Sequence, residues 1–190
     1  MGLDIFGSSA SVTQIYLVRH GEPDYGRVDE QGLPGAAADS APLTAAGVKQ
    51  AEALADLLSG IGATYLVSSP YTRALQSAAI IGHRLALGVR VDYDLRDWLP
   101  DNTGRRGVAD VRAAQAEFTA YAGEWPDGIE RRWEPRSRLR ERALAALARH
   151  TALTSGPVLA ITHSAVIEAL TGATGTAHGG HEYYRYDPAE

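Results

Sequence analysis

Four short apolar runs, at 13–18, 63–68, 89–93 and 157–162, alternate with stretches of helical periodicity. This alternation limits the architecture more than any other feature of the chain. The first run ends in a Gly/Pro/Asp-rich loop that reaches Pro42. A helix is expected from about Thr44, with Ala51, Leu54, Ala55 and Leu58 on one apolar face and Gly60 as its stop. "ATYLVS" (63–68) is a buried strand. Ser69 and Pro70 have the chemistry of an N-cap and a first helical position, opening a helix to about Leu87. "VRVDY" (89–93) alternates as a strand, and a helix follows near 108–122. "GEWPDG" (123–128) is a turn cluster. A long helix begins after Pro135 and runs to about Thr154, with Leu139, Ala143, Leu144 and Leu147 inward. "PVLAIT" (157–162), a short helix and a last strand, "HEYYRYD", complete the chain.

Strands separated by helices of ten or more residues form α/β sheets covered on both faces. The expected fold is a three-layer α/β/α sandwich with a mostly parallel central sheet and an antiparallel edge strand. At 190 residues the chain suits one domain, with 1–12 as a loosely ordered lead-in. No apolar run approaches the length of a membrane span, and the N-terminus lacks the basic and apolar regions of a secretory signal. The absence of cysteine excludes thiolate chemistry and fits a cytoplasmic location. A net charge of −5 argues against nucleic acid as a partner. Thirteen of the 18 basic residues nonetheless fall between Arg84 and Arg149. They read as solvated helix faces, or as a basic segment over an anion site.

In sheets of this class ligands bind at the carboxyl ends of the strands. The first strand delivers Arg19, His20 and Gly21 there, and the second delivers "SSPYTRALQSA" with Arg73. The strand ending near Ile161 delivers His163 and Ser164 at a helix start. The loop after "VRVDY" carries Asp97 and Asp101. Two histidines, two arginines and a carboxylate on one edge, with helix N-termini at 70 and 164, make a pocket for a dianion.

These segments resemble those of the histidine phosphatase superfamily, which includes cofactor-dependent phosphoglycerate mutases and many small phosphatases. "LVRHGE" (17–22) is similar to its signature, and "LTAAGVKQA" (43–51) to its Leu-Thr-x-x-Gly-x-x-Gln-Ala segment. "SSPYTRALQSA" (68–78) and "ITHSAVIEALTG" (161–172) match its arginine and second-histidine segments, in the expected order. The resemblance implies that His20 is a nucleophile that becomes phosphohistidine, held by Arg19 and Arg73, with His163 adding a further positive element if protonated, and with no metal or cofactor. It also implies phosphate contacts from Gly21 and Ser164. Gly21 is expected to let the backbone approach the ligand without a Cβ.

Two departures stand out. The family's glutamate general acid is replaced by Asp97 in "DLRDW", with Asp101 as the alternative, and Pro23 occupies a position where many members carry Ser or Thr. Glu22 is expected to point away. Tyr25, Trp98, Trp125 and Trp133 are rim candidates, and Arg105, Arg106, Arg131 and Arg132 could meet a second acidic group. His83, His150, His178 and His181 have no motif context, and "HGGH" (178–181) is a weak metal pattern. The function expected is hydrolysis of a small organic phosphate ester. A mutase is the alternative, although the family's mutases are longer, and a phospholigand-binding protein with little turnover is another. A phosphoprotein substrate also stays open.

Overall fold

The computed structural model describes residues 12–30, 35–103 and 108–188. The lead-in before Val12, and the candidates Arg105 and Arg106, lie outside these residues.

The five strands are β1 (Thr13–Arg19), β2 (Tyr65–Ser68), β3 (Val89–Val91), β4 (Val158–Thr162) and β5 (His181–Tyr186). They form one sheet in the order β3-β2-β4-β1-β5. Every pairing among the described strands is parallel except β1 with β5, which gives the expected mostly parallel sheet with an antiparallel edge strand.

The period-2 pattern of the strands builds both faces. Ile15, Leu17, Tyr65, Val67, Val158 and Ala160 point to one side, where α5 (Arg136–Thr151) and α6 (Ser164–Thr171) cover them with Leu139, Leu147 and Ile167. Val18, Leu66, Leu159 and Ile161 point to the other, under α2 (Ala45–Leu58) and α3 (Thr72–Leu85). The face expected for α2 is the one buried, with Ala51, Leu54, Ala55 and Leu58 in the core. Each such fully buried leucine contributes about 1.5–3 kcal/mol. No helix among the described residues is long and apolar enough to cross a membrane.

Three boundaries differ from the sequence expectation. The loop up to Pro42 contains a short helix, α1 (Tyr25–Glu30), and a 3-10 segment, Gly35–Ser40, which the Gly- and Ala-rich composition conceals. α3 begins at Thr72 with Tyr71 as N-cap, not at Ser69–Pro70. Ser69 is held elsewhere: its N–H continues the sheet to the Ile161 carbonyl, and its hydroxyl meets His163 at 2.8 Å. β3 stops at Val91 because the Asp92 carboxylate accepts from the Asp94 N–H and turns the chain into a 3-10 segment, Tyr93–Leu95. The helix near 108–122 is α4 (Val108–Ala120).

Candidate active site

Register places the site. Arg19 of β1 is the Cα partner of Thr162 of β4, so the next residues, His20 and His163, leave adjacent parallel strands together. Their ring centroids are 5.0 Å apart. Ser68 of β2 pairs with Ile161, which brings Ser69 and then Arg73, in the first turn of α3, to the same edge.

Arg73 is 3% exposed and lies at the centre. Its Nε–H donates to His20 Nε2 at 3.1 Å, one Nη donates to the Ala38 carbonyl, and the other donates to Asp97 Oδ2 at 3.1 Å. His163 Nδ1 is 3.4 Å from both that Nη and Asp97 Oδ2. His20 Nδ1 is 2.6 Å from the Gly21 carbonyl, so Nδ1 carries the proton and Nε2 presents its lone pair to Arg73. The sequence candidates His20, Arg73, Asp97 and His163 therefore form one cluster.

The imidazoles here are neutral. Burial, with the proximity of His163 and Arg73, pushes His20 down to about 2. His163 is fully buried, and burial with the charges of Arg73, Arg142 and Arg19 holds it well below the ordinary histidine range. A cation at His163 would be desolvated among arginines, which favours the neutral ring.

Arg19 extends the cluster. Its Nη1 donates to the Thr176 carbonyl at 2.7 Å, and its Nη2 lies 2.8 Å from His178 Nε2. Its Nε–H is buried without a hydrogen-bond partner. His178, passed over in the sequence for want of a motif, sits with its ring centroid 5.6 Å from that of His20. Burial and the Arg19 charge lower its pKa, which suits an acceptor for the guanidinium. The only sequence signal was the "HGG" before β5: the Gly179 N–H donates to the Arg19 and His20 carbonyls, and the Gly180 carbonyl accepts from the Arg19 N–H.

Gly21 has a structural reason beside the ligand approach expected of it. A Cβ on Gly21 would stand 2.3 Å from the Gly47 carbonyl oxygen, and one on Gly47 would stand 2.3 Å from the Glu22 carbonyl oxygen. Both glycines serve the close crossing of two backbones. Glu22 points away as expected, accepting from the Thr44 hydroxyl at 2.9 Å. Thr44 in turn caps α2 through the Gly47 N–H.

Asp97 and Asp101 separate clearly. Asp101 is buried against Thr103 and Arg132, with no place among the histidines. Burial pulls its carboxyl up, but the Thr103 hydrogen bonds and the Arg132 ion pair outweigh that and hold it below the usual range. Asp97 turns Oδ1 to the Trp98 N–H and Oδ2 to the cluster.

Among the described rim candidates, Tyr25 lies beside the cluster, with Arg73 Cζ 5.8 Å from its ring. Trp133 is buried and donates to Glu117, Trp98 donates to the Glu134 carbonyl, and Trp125 donates to the Trp133 carbonyl. These tryptophans pin the 98–135 segment to itself. Arg131 and Arg132 are ion-paired to Glu117 and Asp101. Ser164 opens α6 and lines a cavity of about 180 Å³ with Trp98, Phe118 and Leu139. His83 borders a cavity of about 640 Å³ between α2 and α3, none of whose lining residues belongs to the cluster. His150 bonds Tyr65 and Asp92, and His181 packs on Tyr16. Among the described residues no group of three or more His, Cys, Asp or Glu is placed to hold a metal.

Comparison with known proteins agrees with this geometry. A probable phosphoglycerate mutase, GpmB, of Proteus mirabilis is 31% identical over 138 residues, covering 70% of this chain and 61% of that protein. The chain thus spans about three-fifths of that relative. A Bacillus subtilis protein described as an uncharacterized phosphatase, PhoE, is 30% identical over 162 residues, covering 84% of this chain and 76% of its own. The native structure of a mycobacterial glucosyl-3-phosphoglycerate phosphatase superposes with a TM-score of 0.66 at 26% identity, covering 85% of this chain and 79% of that one. The profile of the histidine phosphatase superfamily (branch 1) matches residues 15–189, and the chain belongs to that superfamily.

Proposed function

We propose that the chain is a phosphomonoesterase that hydrolyses a small organic phosphate ester through a phosphohistidine at His20. The observation that carries this reading is the hydrogen-bonding of the His20 ring. With its Nδ1 proton given to the Gly21 carbonyl, Nε2 is a neutral nucleophile aimed at an arginine. Neutral imidazole attacks phosphorus well once the charge on the phosphoryl oxygens is neutralised.

In the first step Nε2 forms a bond to phosphorus as the ester P–O bond breaks, and the departing alkoxide takes a proton from Asp97. In the second, water attacks the phosphohistidine while the Asp97 carboxylate removes its proton. The P–N bond breaks, phosphate leaves, and the lone pair returns to Nε2. Arg73 reaches both ends of this path, His20 at 3.1 Å and Asp97 at 3.1 Å, and its planar fork suits phosphoryl oxygens once a substrate takes over those contacts. The unpartnered Nε–H of Arg19 is a further donor for the anion.

The name of the mycobacterial phosphatase supports a small organic phosphate as substrate, whereas that of the Proteus mirabilis relative favours return of the phosphoryl group to the substrate. A phosphate-release screen over sugar phosphates, glycerate phosphates, nucleotides and phosphopeptides separates the two, with His20→Ala as the blank. Hydrolysis of small esters by the parent, together with an acid-labile, alkali-stable phosphoenzyme that His20→Ala lacks, is the expected result. Full activity in His20→Ala would end the proposal.

A further inference from the structure

The loop that carries Asp97 is held by a buried ion pair that the chemistry above does not use. Arg142 on α5 and Glu134, just before it, are paired at 2.7 Å with side chains only 10% and 6% exposed. All five N–H donors of Arg142 are occupied. Nε and one Nη2 hydrogen form a fork on the two Glu134 oxygens, at 2.7 and 2.8 Å. Nη1 donates to the carbonyls of Asp94 and Arg96 at 2.6 and 2.8 Å, and Nη2 donates to the carbonyl of Asp97 at 2.9 Å.

Glu134 holds the other side of the same loop. Its carboxylate accepts from the Leu99 N–H, its own N–H donates to the Leu99 carbonyl, and its carbonyl accepts from the Trp98 indole. The Thr162 hydroxyl, next to His163, adds a bond to the Leu95 carbonyl. The loop is thereby tied at 94, 95, 96, 97, 98 and 99, while Asp97 Oδ2 stays turned toward Arg73 and His163. A guanidinium that gathers three carbonyls of one loop fixes a backbone, and a buried charge pair is a costly way to do so unless the fixed geometry matters. Arg142 also lies close enough to His163 for its charge to help keep that imidazole neutral.

We propose that Arg142 and Glu134 are positioning residues for proton transfer: they set Asp97 where the leaving-group oxygen departs, without touching the substrate. The inference rests on the reading of Asp97 as the proton donor. A shorter side chain than glutamate has less reach to correct a misplaced backbone, so the carboxyl depends on its loop being held.

The test compares Arg142→Lys, which keeps a charge for Glu134 but loses the fork, and Glu134→Gln, each alone and on an Asp97→Asn background. Single-turnover phosphorylation is measured with an alkyl phosphate and with p-nitrophenyl phosphate, whose leaving group needs little protonation. Sulfate affinity reports whether the anion pocket is intact. The expected result is a loss of about 10²-fold on the alkyl ester, the scale of an ångström's misplacement, with p-nitrophenyl phosphate and sulfate binding nearly unchanged. No further loss is expected when Asp97→Asn is added. Equal losses on both esters, or losses that add to those of Asp97→Asn, would make the pair a structural device only and overturn the proposal. If Arg142→Lys does not fold, Glu134→Gln gives the same discrimination. Should Asp97→Asn itself spare the alkyl ester, the reading of Asp97 fails; should Asp97→Asn be selective and both clamp variants be unselective, the positioning inference alone fails.

Discussion

Arg19 and Thr162 are register partners across the parallel β1–β4 ladder, and each is followed directly by a histidine. The two imidazoles are brought together by strand pairing between residues far apart in sequence, before any side chain chooses its rotamer. Because side chains alternate along a strand, a slip of one residue would send one histidine to the wrong face. The buried residues that precede them, Ile15, Leu17 and Val18 on β1 and Val158 to Ile161 on β4, oppose that slip.

Asp97 and Asp101 are predicted to differ in kind. Asp97→Asn should lower kcat on an alkyl phosphate by roughly 10² to 10⁴, the range for losing a general acid, and affect phosphorylation by p-nitrophenyl phosphate less. Asp101→Asn removes the partner of Arg132 and Thr103, and should lower the melting temperature while sparing kcat. Kinetics and calorimetry on the two variants check this, and reversed phenotypes would make Asp101 the acid.

Anion binding should draw protons into the site. His20, His163 and His178 all have pKa values below the ordinary 6.5, burial being the first cause in each. Between their folded values and about 6.5 the unfolded chain binds protons that the folded chain refuses. The stability they contribute is therefore present above that range and lost as pH falls through it. A dianion beside His163 and His178 favours their charged forms and offsets part of the loss, while His20 stays neutral. Sulfate stays dianionic across this range, so near pH 6 its binding should take up protons and its stabilising effect should exceed that at about pH 8. Titration calorimetry in two buffers of different ionisation enthalpy measures the uptake, and sulfate binding without it would contradict the prediction.

Gly21→Ala and Gly47→Ala should each destabilise the fold by about 1–3 kcal/mol or more, the scale of overpacking, because the added methyl meets backbone rather than a movable side chain. Gly60→Ala, where a Cβ meets nothing within 4 Å, is the control and should be neutral. Urea unfolding of the three variants tests the contrast, and a tolerated Gly21→Ala would leave that residue the ligand-approach role alone.

Much of this molecule was legible in the chain because local and global signals agree. The apolar face of α2, the short apolar runs of β1 and β4, and the placing of His20, Arg73 and His163 after predicted strands need only pattern and the rule that sites gather at strand ends. What was not legible depends on contacts between distant segments. His178 carries no motif and acquires meaning only when β5 folds back beside β1. Ser69 has the chemistry of a helix cap, but tertiary demand from His163 takes its hydroxyl. Gly21 and Gly47 are a pair across a backbone crossing, and neither alone announces the other. The tryptophans read as rim residues because composition does not say which way an indole points.

The antiparallel edge strand also sets an order of assembly. Among the described strands β1 is made before the others, but its two neighbours in the sheet are β4 and β5, which come after β2 and β3. Arg19 meets Thr176, His178 and Gly180 only after those residues leave the ribosome. A nascent chain halted before Thr176 has a first strand with one open edge and an arginine without its anchors. The arginine–histidine cluster is thus completed only once the segment 176–186 has been made, and chains halted before it should show neither binding nor turnover of phosphate esters.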